Sequence, residues 1–435
     1  MQIHVVKQGQ SINEIAGMYG STVTDIVRAN DLPNPDRLVI GQTVVIPIKG
    51  QFYLVKSGDS FYSIGSAFGV SAETLAKING LDLNKPLKPG DRLYIPEAPK
   101  RKAEVNAYIE PAGNEVSPAL EERAREAARS LTYLGLFSFR INPDGTLKEP
   151  PIGRLKEIAD SENVTLMMIV TNLSDEGFSD EIGRIVLNEQ AVQNKVLDNI
   201  VAAAKKYGFR DIHFDMEYLR PVDKKAYLRF LRRAKERFKK EGWLISAALA
   251  PKIKADQKGK WYEAHDYKGV GEIVDFVVIM TYEWGYSGGP PLAVSPINPV
   301  KQVLNYALTE IPANKIMMGQ NLYGYDWTLP YKPGGEFAKA ISPQQAILIA
   351  AKYNVPIEYS EKDQAPHFTY KDENGKDHEV WFEDARSIQA KFDLIKQLKL
   401  RGISYWKLGL PFPQNWLLIQ ENFEVEKKTP VQQMG

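Results

Sequence analysis

The sequence predicts an α/β protein in which two small βααβ repeats precede a (β/α)8 TIM barrel that carries a small insertion. Three observations support this architecture. A segment near the N-terminus recurs at a constant offset of 49 residues. A short polar stretch follows the second copy, and beyond it eight apolar, strand-like segments alternate with amphipathic helical segments up to residue 428. Alternating strands and helices of this number are typical of a closed parallel barrel.

The composition excludes several classes of protein. The 55 basic and 54 acidic residues nearly balance, which disfavours a nucleic-acid partner. The absence of cysteine excludes disulfides, thiolate nucleophiles and cysteine-ligated metals. No run of 18 apolar residues exists and the first residues lack a basic segment followed by an apolar one, so we expect neither a membrane span nor a secretory signal.

The two repeats have the same element pattern. Residues 5–30 and 54–79 align without a gap, and each contains a strand, a glycine turn and two short helices before a second strand that ends at a proline. Ser11 and Ser60 stand where they can cap the first helix of each copy. Each copy is therefore predicted to be a separate βααβ unit.

Both copies resemble LysM domains, which bind the N-acetylglucosamine backbone of peptidoglycan and chitin. The two domains are predicted over residues 1–48 and 51–97, and the resemblance covers residues 3–47 and 52–96. It implies a sugar groove between the loop after the first strand and the loop after the second helix. Alternatively, the glycines and asparagines there only form turns. The implied sugar-binding residues are Gly9, Gln10, Ser11, Ile12, Asn30 and Leu32 in the first copy and Gly58, Asp59, Ser60, Phe61, Asn79 and Leu81 in the second.

The barrel is predicted over residues 105–428, after a polar linker at residues 98–104. One helix is expected to begin at a capping Asp223, and another at Ser342-Pro343. An insertion is expected near residues 355–384, with a hairpin turn at Asn374-Gly375. The predicted strands are residues 106–111, 131–139, 164–171, 211–217, 244–250, 274–282, 315–325 and 402–409.

The fourth of these strands, in the segment GFRDIHFDMEYL, carries the candidate catalytic groups. Residues two apart face the same side of a strand, so His213, Asp215 and Glu217 are expected to point into the barrel. Two neighbouring carboxylates raise the pKa of one of them, as a general acid requires. A salt bridge or a solvated strand end is the alternative interpretation.

This segment resembles the D-G-x-D-x-D-x-E signature of glycoside hydrolase family 18. On that resemblance Glu217 is the catalytic acid, and Asp215 positions the acetamido group of the substrate. Arg210 and Asp211 replace the leading Asp-Gly, and His213 replaces the innermost Asp. The replaced Asp helps to hold the next carboxylate in its resting state, so His213 bears on the pH dependence.

Other strand ends extend the resemblance. VVIMTYEWG resembles the M-x-Y-D motif, with Tyr282 bonding the acetamido oxygen and Glu283 in place of Asp, and GISYWKLG places Trp406 beneath the sugar. Core packing is the alternative for each aromatic residue. The full set of predicted substrate-binding residues is His213, Glu283, Trp284, Asn321, Tyr323 and Trp406.

The spacing of the carboxylates bears on mechanism. Asp215 and Glu217 rise from one side of one strand, about 6.6 Å apart along it, so they are poorly placed to flank a glycosidic bond. Family 18 is an exception in which the substrate's own acetamido oxygen attacks the anomeric carbon. The resemblance therefore implies retention of configuration, with no metal or organic cofactor.

The domain combination, together with HFDMEY and VWFEDARS, resembles the cortex-fragment-lytic enzymes of spore-forming bacilli. This implies a monomeric N-acetylglucosaminidase that acts on spore cortex peptidoglycan during germination and is stored in the spore coat. The alternatives are a chitinase, a vegetative-wall autolysin or a non-catalytic, chitinase-like lectin.

Overall fold

The computed structural model describes residues 1–32, 34–97 and 99–428. Its largest unit is a closed barrel of eight parallel strands, each paired with its neighbours in chain order and the first paired with the eighth. The predicted (β/α)8 fold is confirmed. The barrel strands are Arg101–Ile109, Tyr133–Ile141, Thr165–Thr171, Asp211–Asp215, Leu244–Leu249, Phe276–Ile279, Ile316–Asn321 and Gly402–Leu408.

Helices surround the barrel and cover its outer face. Ile212 and Phe214 of the fourth strand belong to the apolar layer between strands and helices, as their alternation with His213 and Asp215 predicts. The helices outside the repeats and the insertion are Pro118–Ala128, Leu155–Ser161, Asp180–Asn188, Gln190–Tyr207, Lys224–Lys239, Tyr267–Ile273, Ile297–Glu310, Ala385–Gln397 and Pro413–Asn422.

Asp223 does not cap the helix that follows it, so this prediction is wrong. Pro221–Asp223 forms a 3-10 turn, and the backbone of Asp223 is already helical, whereas a capping residue is extended. The Asp223 carboxylate instead accepts a hydrogen bond from Asn188 Nδ2 at 2.8 Å. Asp223 thus ties two barrel helices together.

The first barrel strand begins inside the predicted linker. Ala98 lies outside the described residues. Residues 101–103 already pair in parallel with Phe423–Val425, and Glu104 pairs in parallel with Gly402. Glu104 is buried because Arg401 pairs with its carboxylate at 2.6 Å and Tyr133 donates to it at 2.8 Å. Paired charges therefore allow a polar sequence to enter the barrel.

Each repeat has the predicted βααβ order. Ser11 and Ser60 form capping boxes at the first helices, and Gly20 and Gly69 end those helices in the left-handed conformation. The elements are Gln2–Val5, Ile12–Tyr19, Val23–Asn30 and Thr43–Ile46 in the first repeat and Gln51–Leu54, Phe61–Phe68, Ala72–Ile78 and Arg92–Ile95 in the second.

The insertion between the seventh and eighth barrel strands is larger than the segment 355–384. It is a five-stranded antiparallel sheet with the helix Pro343–Tyr353, which begins with the predicted Ser342 cap. The predicted hairpin is confirmed, with Gly375 in its turn at a φ of 77°. Its strands are Gly324–Thr328, Lys339–Ile341, Glu358–Ser360, Ala365–Lys371 and Asp377–Trp381.

The first repeat is docked firmly on the barrel and the insertion. Val45 is part of the apolar layer of the barrel, and the side chain of Asn30 accepts a hydrogen bond from Gln414 at 2.7 Å. The Ile357 N–H donates to the Ile40 carbonyl at 2.8 Å. These contacts join the first repeat to both the barrel and the insertion.

Gly41 and Gly90 occupy equivalent positions of the two repeats and provide a matched test of this docking. Both have positive φ, at 83° and 93°. A Cβ on Gly41 would lie 1.8 Å from the Ile357 carbonyl oxygen, whereas a Cβ on Gly90 meets nothing within 4 Å. Gly41→Ala should therefore lower the free energy of unfolding by about 2 kcal/mol more than Gly90→Ala.

Chemical denaturation of the two variants measures this difference, and hydrogen exchange at residues 353–360 shows whether the docking is lost. Equal destabilisation by both substitutions would contradict the role given to the first repeat.

Candidate active site

A cavity of about 870 Å3 opens at the carboxyl ends of the barrel strands. This is the face on which barrels of this type carry their active sites. Six of the residues predicted from sequence line it: Asp215, Glu217, Tyr282, Glu283, Tyr323 and Trp406.

Asp215 and Glu217 form the centre of the cavity. Asp215 is the last residue of the fourth strand, and Glu217 follows it in a loop where Asn172 bonds both the N–H and the carbonyl of Glu217, at 3.0 and 2.8 Å. The side chains of this pair are almost fully buried. Burial and, secondarily, the charge of Asp215 raise the pKa of Glu217 well above its usual value. The protonated form of Glu217 is thereby favoured, as a general acid requires.

His213 lies below the cavity and does not line it. The ring is fully buried, with Nδ1 at 2.8 Å from Ser246 Oγ and Nε2 at 3.0 Å from Tyr108 Oη. Burial lowers the pKa of His213 to about 3, so the imidazole is neutral. The structure therefore does not place His213 among the residues that line the cavity, and both of its ring nitrogens bond groups inside the barrel.

Tyr282 and Glu283 follow the sixth strand and enter the cavity from a neighbouring side. The Glu283 carboxylate accepts hydrogen bonds from the hydroxyls of Tyr323 and Tyr325, the latter at 3.2 Å. Burial raises the pKa of Glu283, and the two tyrosine hydroxyls oppose that shift. Glu283 is thereby held in place as an acceptor on the cavity wall.

Trp406 supplies a flat apolar surface in the cavity. Its ring packs edge-on against Phe137, with ring centroids 4.8 Å apart, and is tilted against Tyr108 at 5.6 Å. These two neighbours fix the orientation of the indole, which can then stack against a sugar ring.

Trp284 and Asn321 do not line the cavity, contrary to prediction. Trp284 packs against the apolar layer between barrel and helices, because the strand Phe276–Ile279 ends early and the two-residue alternation does not continue to it. Asn321 is fully buried, and its side-chain amide donates to the Tyr323 carbonyl at 2.7 Å. It shapes the turn after the seventh strand.

An aromatic wall of the cavity was not predicted from sequence. Trp261 stacks on Tyr218 at an interplanar angle of 15°, and Tyr262 and Phe178 line the cavity beside them. The sequence contains a signal for this wall. Trp261-Tyr262 follows the fifth strand, and the loops after barrel strands lie at the active-site face.

Trp261 also acts on Glu217. Its indole N–H approaches the Glu217 carboxyl, and this interaction opposes the rise in the pKa of Glu217 that burial causes. The N–H meets no partner at full hydrogen-bond distance among the described residues. Trp261 is therefore a polar neighbour of the acid in an otherwise apolar wall.

Trp261→Phe should move the alkaline limb of the pH–activity profile upward by about half a pH unit. The phenyl ring keeps the apolar wall but removes the N–H, so the pKa of Glu217 rises and the acid stays protonated to higher pH. Measurement of kcat/KM against pH tests this, with Trp243→Phe as a control because Trp243 packs outside the cavity. A limb that stays in place or moves to lower pH would refute it.

Most predicted sugar-binding side chains of the repeats have structural roles. Asn30 Nδ2 donates to the carbonyls of Ile26 and Val45 at 2.8 and 2.7 Å, and Asn79 makes the corresponding pair of bonds in the second repeat. Ile12 and Phe61 are core residues.

The polar loop residues are also engaged locally. Gln10 Oε1 accepts from the Lys7 N–H at 2.8 Å, and Asp59 Oδ2 accepts from the Lys56 N–H at 2.7 Å. Leu32 is buried whereas Leu81, its equivalent, is 42% exposed. Sugar binding by these loops stays a prediction, and the exposed loop backbone of the second repeat is the better candidate.

Among the described residues, no helix combines the length and apolarity needed to cross a membrane.

The chain matches the models of two known protein families. The family model for glycosyl hydrolases family 18 matches residues 112–410, and that for the LysM domain matches residues 4–47 and 53–96. The chain is 62% identical to the cortical fragment-lytic enzyme of Bacillus subtilis (strain 168), over 99% of this chain and 100% of the relative.

Solved structures agree. The spore cortex-lytic enzyme SleL of Bacillus megaterium QM B1551 superposes with a TM-score of 0.90 at 57% identity, covering 98% of this chain and 99% of that one. A putative sporulation-specific glycosylase of Bacillus subtilis matches with a TM-score of 0.60 at 33% identity, over 64% of this chain and 91% of that one. With its barrel, its buried carboxyl pair and these matches, the chain belongs to glycosyl hydrolases family 18 and carries two LysM domains ahead of the barrel.

Proposed function

We propose that this glycosidase cleaves N-acetylglucosaminyl bonds in peptidoglycan fragments of the spore cortex during germination. The observation that carries the chemistry is the buried pair of Asp215 and Glu217 at the centre of an aromatic-lined cavity. The names of the cortex-lytic relatives, which align over nearly the whole chain, support the choice of substrate.

The geometry of the pair favours a substrate-assisted mechanism. Both carboxyl groups come from one strand end, so they do not stand on opposite sides of a bound glycosidic bond. Glu217 protonates the leaving oxygen while the substrate's acetamido oxygen attacks the anomeric carbon, with Asp215 and Tyr282 orienting the acetamido group. Water then opens the oxazolinium intermediate, with Glu217 as the base, and the configuration is retained.

The LysM domains are proposed to bind the glycan and hold the barrel on its substrate. Because the first repeat is docked on the barrel, glycan held by the pair stays close to the catalytic unit. We further propose storage in the spore coat, from which the protein reaches peptidoglycan outside the cytoplasm.

The products formed from muramidase-digested cortex fragments test this proposal. After borohydride reduction, mass spectrometry distinguishes new reducing-end N-acetylglucosamine from reducing-end muramic acid. We expect the former, at a higher rate than from chitin oligosaccharides or vegetative-wall fragments.

Three results would overturn the proposal. Faster cleavage of chitin oligosaccharides would indicate a chitinase, and faster cleavage of vegetative-wall fragments would indicate an autolysin. Binding of all three substrates without cleavage would indicate a lectin.

A further inference from the structure

Four side chains beneath the cavity form an unbroken chain of hydrogen bonds across the barrel interior. Ser246 Oγ lies 2.9 Å from Asp211 Oδ1 and 2.8 Å from His213 Nδ1, and His213 Nε2 lies 3.0 Å from Tyr108 Oη. All four side chains are buried. Nothing in the proposed mechanism uses Asp211 or Ser246.

The protonation state of Asp211 fixes the direction of this chain. An ionised carboxylate only accepts, so Ser246 donates to Asp211 and its oxygen accepts the Nδ1–H of His213. A neutral imidazole with a proton on Nδ1 accepts at Nε2. The Tyr108 hydroxyl proton is then directed at His213.

Protonation of Asp211 permits the opposite direction. Its carboxyl proton donates to Ser246 Oγ, Ser246 donates to Nδ1, and the imidazole proton moves to Nε2, from which it donates to the Tyr108 oxygen. The Tyr108 hydroxyl proton is released toward the cavity. There the Asp215 Oδ1 atom is buried without a partner among the described residues, and the charge of Asp215 acts on Tyr108.

Ser404 is the competing acceptor for the released proton, since it also lies beside Tyr108. However, Ser404 Oγ already accepts a hydrogen bond from Asn106 Nδ2 at 2.9 Å. A hydrogen bond to a carboxylate is about twice as strong as one between neutral groups. Ser404 keeps a second lone pair, so it is the greater strength of a hydrogen bond to a charged carboxylate that favours Asp215, whose charge acts on Tyr108, as the acceptor of the released proton.

We propose that Asp211, Ser246 and His213 form a proton-coupled switch that decides whether the Tyr108 hydroxyl donates to Asp215, and so tunes the glycosidase to pH. These three are positioning residues, because they act through Tyr108 and do not touch the cavity. The catalytic part of this inference rests on the proposed function, in which Asp215 orients the substrate.

The surroundings of Asp211 place the switch in a useful pH range. Burial raises the pKa of Asp211 to about 7; among the charged groups that face it, Asp275 and Glu104 raise that pKa and Arg401 lowers it. Asp275 is itself paired with Lys235 at 3.0 Å. His213 stays neutral throughout, because burial lowers its pKa to about 3.

The protonation state of Asp211 controls the pKa of Asp215 in this scheme. Below the pKa of Asp211 the carboxyl is protonated, so the Tyr108 proton is available to Asp215 and stabilises its charged form. Burial by itself raises the pKa of Asp215 to about 7. Above the pKa of Asp211 the Tyr108 proton is withdrawn, so that rise in the pKa of Asp215 is no longer opposed. Asp215 and Asp211 thus favour opposite charge states.

Nitrogen-15 NMR of histidine-labelled protein tests the switch without a substrate. The chain has only five histidines, and a His213→Gln sample assigns the signal. We expect the unprotonated nitrogen of His213 to be Nε2 at about pH 8.5 and Nδ1 at about pH 5.5, on either side of the Asp211 pKa. One tautomer at both pH values, or a charged imidazole, would overturn the proposal.

Ser246→Ala and Asp211→Asn provide the second test. Each should abolish the tautomer change, and each should move an inflection of the pH–activity profile by about half a unit or more. Ser295→Ala is the matched control, since its buried hydroxyl donates to the Thr281 carbonyl at 2.7 Å and bonds no other group in the described part of the chain. Profiles that are lowered in height by Ser246→Ala but unmoved would mean that Ser246 is merely structural.

The proposed glycosidase function and the proposed switch can be refuted independently. An inactive wild-type protein whose His213 changes tautomer would refute the glycosidase function and leave the switch standing. An active protein whose His213 keeps one tautomer would refute the switch alone.

Discussion

Glu217→Gln is expected to lower kcat between about 10²- and 10⁴-fold while substrate binding is nearly unchanged. Glutamine has the size and polarity of the protonated acid but cannot transfer a proton to the leaving oxygen. The loss should be full even at low pH, because burial favours the protonated form of Glu217, which is the form that the proposed mechanism uses. Initial rates on cortex fragments and calorimetric binding measure the two effects.

Glu283→Gln is the matched control in the same cavity. Its carboxylate accepts from Tyr323 and Tyr325 and has no proton-transfer role in the proposed mechanism. We expect a loss below tenfold, seen mainly in KM, since a binding contact worth about 1 kcal/mol is removed. A larger loss from Glu283→Gln than from Glu217→Gln would mean that the acid has been assigned to the wrong carboxyl group.

Asp215→Asn is expected to lower kcat about 10²-fold and to move the alkaline limb of the pH profile downward by about one unit. The rate falls because the amide cannot stabilise the positive charge that develops on the acetamido group. The limb moves because the charge of Asp215 raises the pKa of Glu217. Without that charge the pKa of Glu217 falls, so the acid loses its proton at a lower pH.

A pH series of kcat/KM separates these two effects, and Asp223→Asn serves as a control because Asp223 is an equally buried carboxyl outside the cavity. An alkaline limb that moves upward after Asp215→Asn would contradict the electrostatic coupling of the pair.

Local sequence patterns predicted the parts of the molecule that depend on local rules. The constant offset of the repeats identified both βααβ units, and Ser11 and Ser60 cap the helices that they were expected to cap. The two-residue alternation of the fourth strand correctly separated Asp215, which enters the cavity, from Phe214, which is in the core.

The errors arose where tertiary contacts override such patterns. Residues 101–104 look like a linker, but Glu104 is paired with Arg401 from nearly 300 residues away. Trp284 lies beyond a strand that ends early, and Asn321 uses its amide for a turn. His213 faces the barrel interior as expected. However, the two-residue alternation does not specify how far below the cavity a side chain lies.

The docking of the first LysM domain was also invisible in the sequence. Val45 occupies the position in the first repeat that Tyr94 occupies in the second. Of these two residues, only Val45 packs in the apolar layer of the barrel. Such a contact depends on the relative position of two domains, which no periodicity within either domain specifies.

The anomeric configuration of the first product tests the central claim most directly. Proton NMR during the first minutes of cleavage of a soluble cortex fragment resolves the two anomers of the new reducing end before they equilibrate. We predict that the first anomer has the configuration of the bond that was cleaved, as an acetamido-assisted reaction at Glu217 requires. Initial appearance of the opposite anomer would contradict the account, because inversion needs a water activated by a second carboxylate on the far side of the sugar.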